Sequence, residues 1–193
     1  MKIVLGLCLI LSSLAAGPAR AAPTPDAARL SRELTTEVVK NENLGEFSVS
    51  YPSGWKCTVR HHLQDDTTYL RLFPPNMAGD FEIMVNDRKP LGLIALTDGD
   101  LERYLILNTL RYAKRSEEKT ITPVRFGAGN DGAYVLLTDS APAPGEFKYW
   151  IRGIRLLGDR GAALFNFYSN TRDDCERMLP IVASLELKQV GSQ

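Results

Sequence analysis

The chain has 193 residues, with 23 Lys plus Arg balanced by 23 Asp plus Glu and 44% of residues hydrophobic. That length suits one domain with its own core rather than several. The neutral balance excludes a basic field of the kind that gathers nucleic acid or anionic lipid, and no repeat or low-complexity tract suggests an array or a disordered chain.

Lys2 precedes an apolar run, Ile3 to Ala16, which is followed by Gly17-Pro18-Ala19-Arg20-Ala21. Ala19-Arg20-Ala21 fits the small-x-small rule, so residues 1–21 are read as a signal peptide cleaved near Ala21. The run is shorter than the roughly 20 residues of a membrane helix. Leu7, immediately before Cys8, does not suit a lipobox. A periplasmic or secreted chain with no stable membrane anchor is expected, and without Lys2 and Arg20 it carries 21 bases against 23 acids.

Thr24-Pro25-Asp26 reads as a helix start, with Ala27, Leu30, Leu34 and Val38 at helical spacing and a stop at Asn43 to Gly45. Residues 22–45 are thus expected as an amphipathic helix or linker, ahead of one domain over residues 46–193. Phe47, Val49 and Tyr51 alternate with serines in a first strand, Pro52-Ser53-Gly54 turns, and Trp55, Cys57 and Val59 form a second. Tyr69 to Phe73 and Phe81 to Val85 give two more. Thr97-Asp98-Gly99-Asp100 opens a helix to about Arg115, acidic at its start and basic at its end. A meander follows over Ile121–Phe126, Ala133–Thr138, Phe147–Leu156 and Ala162–Tyr168, with a Pro-stiffened loop at Ser140 to Gly145. Thr171 caps a last helix whose stripe is Cys175, Met178, Leu179, Val182 and Leu185, and which Pro180 must kink or end. Hairpin-linked strands with a middle and a closing helix predict an α+β fold, an antiparallel sheet covered by helices.

The only histidines, His61 and His62, lie beside Asp65 and Asp66 between two predicted strands. A catalytic metal wants about three protein ligands in one cavity. Here the four candidates share one turn with no third ligand-bearing element, so a solvated loop with at most weak metal binding is expected. Cys57 and Cys175 both face the predicted core. An oxidising compartment permits a disulfide between them, and two buried thiols are the alternative. The middle helix carries two apolar stripes. Leu101, Leu105 and Tyr112, with Tyr104 nearby, suit the core, while Ile106, Leu110 and Ala113 form a second stripe, a candidate partner surface if left uncovered.

The stretch "EFSVSYPSGW" near the mature start and a final segment ending "LPIVASLEL" resemble the exported PsbP-like and DcrB-like domains, over roughly Glu46 to Leu187. The resemblance implies an α/β/α sandwich of the PsbP type. It also implies a role in binding or assembly, since members include a photosystem II accessory protein, a Ran-binding factor and secretion chaperones. No cofactor-binding residue carries over, and no cofactor is expected.

No nucleophile elbow, phosphate-binding Gly loop, HExxH or metal-spaced cysteine pair occurs, so no catalytic residue is assigned. The leading expectation is a periplasmic, non-enzymatic module that binds, assembles or maintains an unidentified protein partner. An immunity protein against a periplasm-delivered toxin is a specific form of it. The alternatives are a small-ligand carrier, with Trp55, Tyr149, Trp150 and Phe167 lining a cleft between sheet and helix, and an unrecognised hydrolase. Intact-mass measurement of the exported protein is expected to give a chain beginning at Ala22; retention of Met1, or lipid on Cys8, contradicts this.

Overall fold

β-branched and aromatic residues alternate with polar ones through most of the chain, and the backbone follows that period of two. The computed structural model describes residues 33–188, apart from residues 63, 65, 76, 90 and 94. In chain order the strands are β1 (Leu34–Asn41), β2 (Gly45–Pro52), β3 (Lys56–His62), β4 (Thr67–Phe73) and β5 (Gly79–Asp87). Helix α1 (Leu101–Thr109) comes next, continued by a 3-10 turn at Leu110–Tyr112. The second half holds β6 (Val124–Phe126), β7 (Gly132–Thr138), β8 (Tyr149–Leu157), β9 (Gly161–Ser169), the short helices α2 (Arg172–Glu176) and α3 (Leu179–Ala183), and β10 (Glu186–Leu187).

All pairings are antiparallel. A large sheet runs β3-β4-β5-β9-β8-β7-β6, and a small one runs β1-β2-β10. Pro52-Ser53-Gly54 is therefore not a hairpin turn. It carries the chain out of the small sheet and into the large one, with Gly54 at φ +88, a left-handed conformation that suits a residue without Cβ. Phe47, Val49 and Tyr51 of β2 point into a core shared with Leu70, Phe81, Ile83, Phe165 and Phe167 of the large sheet and with Met178 and Val182 of the last helices. The opposite face of the large sheet carries a second, smaller core. There Leu101 and Leu105 of α1 close over Val135, Leu137 and Ile154, so α1 covers β7 and β8.

The expected helix-covered α/β/α sandwich is corrected by these sheets: the described residues form a β-rich fold, ten strands in two sheets with short helices. A second sheet occupies one of the positions where a helical layer was expected. The correction begins at residue 34. Leu34 and Val38, read as a helical stripe, lie on a strand that pairs along its whole length with β2. A spacing of four fits a strand as well as a helix, because four is a multiple of two. Leu34 and Val38 fall on the outward side and are exposed, while Val39 turns into the core. Thr35, Thr36, Val38 and Val39 are also stiff β-branched residues that favour extended backbone once a partner strand is present. The small sheet thus starts the domain before residue 46. The expected signal peptide and the start of the expected helix, at residues 24–32, lie outside the described residues.

The closing helix is shorter than its apolar stripe suggests. Thr171 caps it, its hydroxyl accepting from the Asp174 amide at 3.2 Å, but Pro180 stands in the first turn of a separate helix, α3. The carbonyls at the end of α3 are satisfied from the sheet. Arg155 Nη1 of β8 donates to Val182, Ala183 and Leu185 O at 2.8, 2.7 and 2.9 Å, while its Nε donates to Asp131 Oδ2 at 3.1 Å. Among the described residues, no helix is long and apolar enough to cross a membrane.

Gly153 in β8 is required by close approach. A Cβ there would lie 2.0 Å from Cζ of Phe165, a ring that is itself fully buried and has no room to swing. Gly153→Ala is expected to lower stability by about 1–3 kcal/mol through overpacking, read from the urea midpoint; an unchanged midpoint contradicts this packing.

Candidate functional site

Strand alternation decides where the sequence candidates point. His61 and His62 are neighbours on β3 and face opposite sides; His61 is half-buried and His62 exposed. Asp65 lies outside the described residues. His61 Nδ1 lies 3.0 Å from Thr68 Oγ1, and its Nε2 lies 3.2 Å from Asp66 Oδ1. The expectation that no second element brings a ligand to this turn is corrected. Glu42, on the turn between β1 and β2, places its carboxylate so that potential ligand atoms of Glu42, His61 and Asp66 all lie within 4.8 Å of one another. The two turns are tied by Asn41. Its Oδ1 accepts from Asn43 and Leu44 N, and its Nδ2 donates to Asp66 O and Thr68 Oγ1.

The helical stripe of Ile106, Leu110 and Ala113 divides. Ile106 and Leu110 are 37% and 59% exposed, joined by Leu107 at 66%, whereas Ala113 is buried in the smaller core. A projection at 100° per residue fails beyond Thr109, where the backbone tightens to the three-residue 3-10 turn and brings Ala113 inward.

Cys57 and Cys175 are free thiols. Register runs Cys57–Leu72–Phe81–Phe167 across β3, β4, β5 and β9, and Cys175 Sγ lies 3.6 Å from the Phe167 carbonyl oxygen. Three interstrand steps, roughly 14 Å at about 4.8 Å each, separate the two thiols, against a Cα reach of about 7 Å for a disulfide. Sharing a core face did not make them neighbours.

A cleft of about 420 Å³ opens on the face of the large sheet that also carries α1. Its floor is aromatic. Trp150 of β8 and Tyr168 of β9 are cross-strand partners with rings stacked at 5.7 Å and 10°, and Tyr112 meets Trp150 edge-on at 4.2 Å. Leu137 flanks Trp150 from β7. Arg111 lies over the outer face of Tyr112, 4.6 Å from its centroid. The rim is ionic. Arg115 Nη2 donates to Asp139 Oδ2 at 2.8 Å and Glu146 Oε2 at 2.9 Å, closing the Ser140–Gly145 loop onto the segment after α1. The Ala143 amide and then the Arg115 guanidinium hold the Glu146 carboxyl below its ordinary range. On the far side, Asp80 Oδ1 lies 2.9 Å from Arg71 Nη2, an ion pair without hydrogen-bond alignment. Burial pushes the Tyr168 phenol up. Trp150, whose side chain lines the cleft, has its Nε1 shielded from solvent and without an acceptor.

Of the four aromatic residues considered from sequence, the structure brings only Trp150 to this cleft. Tyr149 alternates to the opposite face, Phe167 is wholly core, and Trp55 packs against the larger core. Tyr112, Tyr168, Arg115 and Glu146 were missed. Tyr168 was within reach, since β8 and β9 are joined by a tight turn and pair Trp150 directly with it. Comparison with protein-family models, with curated proteins and with solved structures gives no match.

The thiols give a pH test. Burial, then the charge and hydrogen bond of Glu37, pushes Cys57 from an ordinary 9.0 to about 12; burial, then Asp174, pushes Cys175 to about 12 as well. Between those values the unfolded chain has released thiol protons that the folded chain keeps. Stability from both groups is therefore whole below about pH 9 and is lost as pH rises toward about 12. The urea midpoint is expected to fall through that window, less steeply in a Cys57→Ala, Cys175→Ala protein; equal slopes contradict the assignment.

Proposed function

We propose that the mature chain is a non-catalytic binding protein of an exported compartment, and that the cleft at Trp150 receives a flat, neutral ring bearing a carbonyl acceptor. The observation that carries this reading is Trp150, which lines an aromatic cleft and whose buried Nε1 is unmatched. Leaving a shielded donor unpaired costs about 1–3 kcal/mol, which a carbonyl on the ligand would recover. The Tyr112 and Tyr168 rings supply apolar contact on the geometry that aromatic groups favour. Three carboxylates and one guanidinium line the cleft, from Asp80, Asp139, Glu146 and Arg115, so an anionic ligand is disfavoured. Those carboxylates are engaged with arginines, and Glu146 is held ionised. Such groups shape a pocket rather than poise an acid or a base. Export rests on the leader read from the sequence.

In a second reading the ring belongs to a protein partner, which keeps the assembly, maintenance and toxin-neutralising roles in view. The exposed Ile106, Leu107 and Leu110 favour it, since they lie just before Tyr112 in the chain.

Ligand-observed NMR with a set of neutral carbonyl-bearing heteroaromatics is expected to give binders whose signals depend on the cleft and weaken about tenfold or more in Trp150→Ala and Tyr112→Ala. Binders indifferent to both substitutions, or no binders, overturn the small-ligand reading. An Ile106→Ser, Leu110→Ser protein that keeps fragment binding but loses a protein captured by the native chain would transfer the role to a partner.

A further inference from the structure

We propose that Glu42, His61 and Asp66 form a binding site for one divalent transition-metal ion, of which zinc is the best match. The site joins two hairpin turns from different sheets. Asn41 clips them together through four hydrogen bonds of 2.8 to 3.1 Å, which fixes Glu42, its neighbour in sequence, beside Asp66. Asp66 itself sits at φ +49, a left-handed conformation that Asp adopts more readily than most side chains.

His61 Nε2 and Asp66 Oδ2 are both shielded from solvent and both lack a hydrogen-bond partner. Nε2 lies 3.2 Å from Asp66 Oδ1 but is not aligned to donate to it. An imidazolium–carboxylate pair would aim its N–H at the oxygen. With the proton on Nδ1, His61 Nε2 and Asp66 Oδ2 are two shielded atoms with unused lone pairs, and one cation satisfies both. The other ring nitrogen, Nδ1, is 3.0 Å from Thr68 Oγ1, and Thr68 is fully buried and held by Asn41. Anchoring the distal nitrogen in this way fixes the ring and leaves Nε2 as the ligand.

The donor set of one imidazole and two carboxylates suits zinc better than calcium or magnesium, which prefer oxygen alone. Glu42 is exposed, so its carboxylate is free to close from the present spacing to bonding distance, and solvent can fill the fourth position. His62 points from the other face of β3 and is not a ligand.

Titration of the chelator-treated, untagged mature protein with zinc is expected to show one saturable equivalent by calorimetry and a rise in melting temperature. Glu42→Gln and His61→Ala should each weaken binding about tenfold or more, while His62→Ala leaves it unchanged. Glu42→Gln alters an exposed side chain, so it tests the site even if His61→Ala fails to fold. Cobalt-loaded protein should lack a thiolate charge-transfer band, which separates this site from Cys57 and Cys175. No saturable binding, binding retained in Glu42→Gln, or binding lost in His62→Ala would each overturn the proposal.

Discussion

A seven-stranded sheet has two faces to shield, and in this protein the cover is unequal. Six interstrand gaps make the sheet about 29 Å wide, whereas one helix with its side chains spans about 10–12 Å. The first face is closed by the small sheet and the last two helices together, with Phe47, Phe81, Phe165 and Phe167 wholly buried between them. Among the described residues, the second face is covered by α1, which lies on β7 and β8, with Leu93 and Ile121 of the flanking segments in the same small core. Beyond it the strands carry polar residues instead. Arg71, Glu82, Asn166 and Arg152 follow one another in register across β4, β5, β9 and β8. The aromatic cleft sits where helical cover gives way to this polar row, so Trp150 is shielded above by Tyr112 yet open toward Tyr168 and Asp80. The cleft follows from the shortfall in cover.

Buried polar groups then join what the two sheets leave apart. Arg155 reaches the terminal carbonyls of α3 and the Asp131 carboxylate, fastening the last helix to the central strand of the second half. Arg88, only 6% exposed, does the same for the segment before α1. Its guanidinium donates to the carbonyls of Leu93, Leu96 and Gly158. Each such charged hydrogen bond contributes about 1.5–3 kcal/mol, and each would leave an uncompensated buried group if cut. Guanidinium serves here because one planar group answers several carbonyls in fixed directions. Leu93 and Leu96, in the segment before α1, are held by these contacts instead of by a partner strand.

The strands of the large sheet were legible because alternation is a local signal: Leu70 and Leu72, or Phe81, Ile83 and Val85, state their face within a few residues. What alternation does not state is which sheet a strand joins. Pro52-Ser53-Gly54 looks the same whether it closes a hairpin or passes between sheets, and only the pairing of β2 with β1 and β10 decides. The helix expected through Leu34 and Val38 failed on an ambiguity of period, and Ala113 on a change of helical pitch after Thr109. The candidate sites were less legible for the same reason. Trp150 and Tyr168 are 18 residues apart yet adjacent in register, and Glu42 reaches His61 only through the contact between two sheets. Long-range convergence leaves no trace in a window of neighbours.

Register also places the two sites with respect to each other. His61, on the face of β3 shared with Cys57, lies toward Thr68, which pairs with Val85. Asp80 and Tyr168 lie beyond the Leu72–Phe81 pair and on the other face. Four residues of β4 separate those levels, about 13 Å along the strand, and the thickness of the sheet intervenes as well. A cation held by Glu42, His61 and Asp66 therefore has no direct contact with a ring held at Trp150. Its effect falls on the seam, because two of its ligands belong to a hairpin of the large sheet and the third to the turn that opens β2. That seam already carries the Asn41 clip, and Phe47 and Val49 enter the shared core from the strand that follows it. A metal held there would fasten the small sheet onto the large one, on the covered face and away from the cleft.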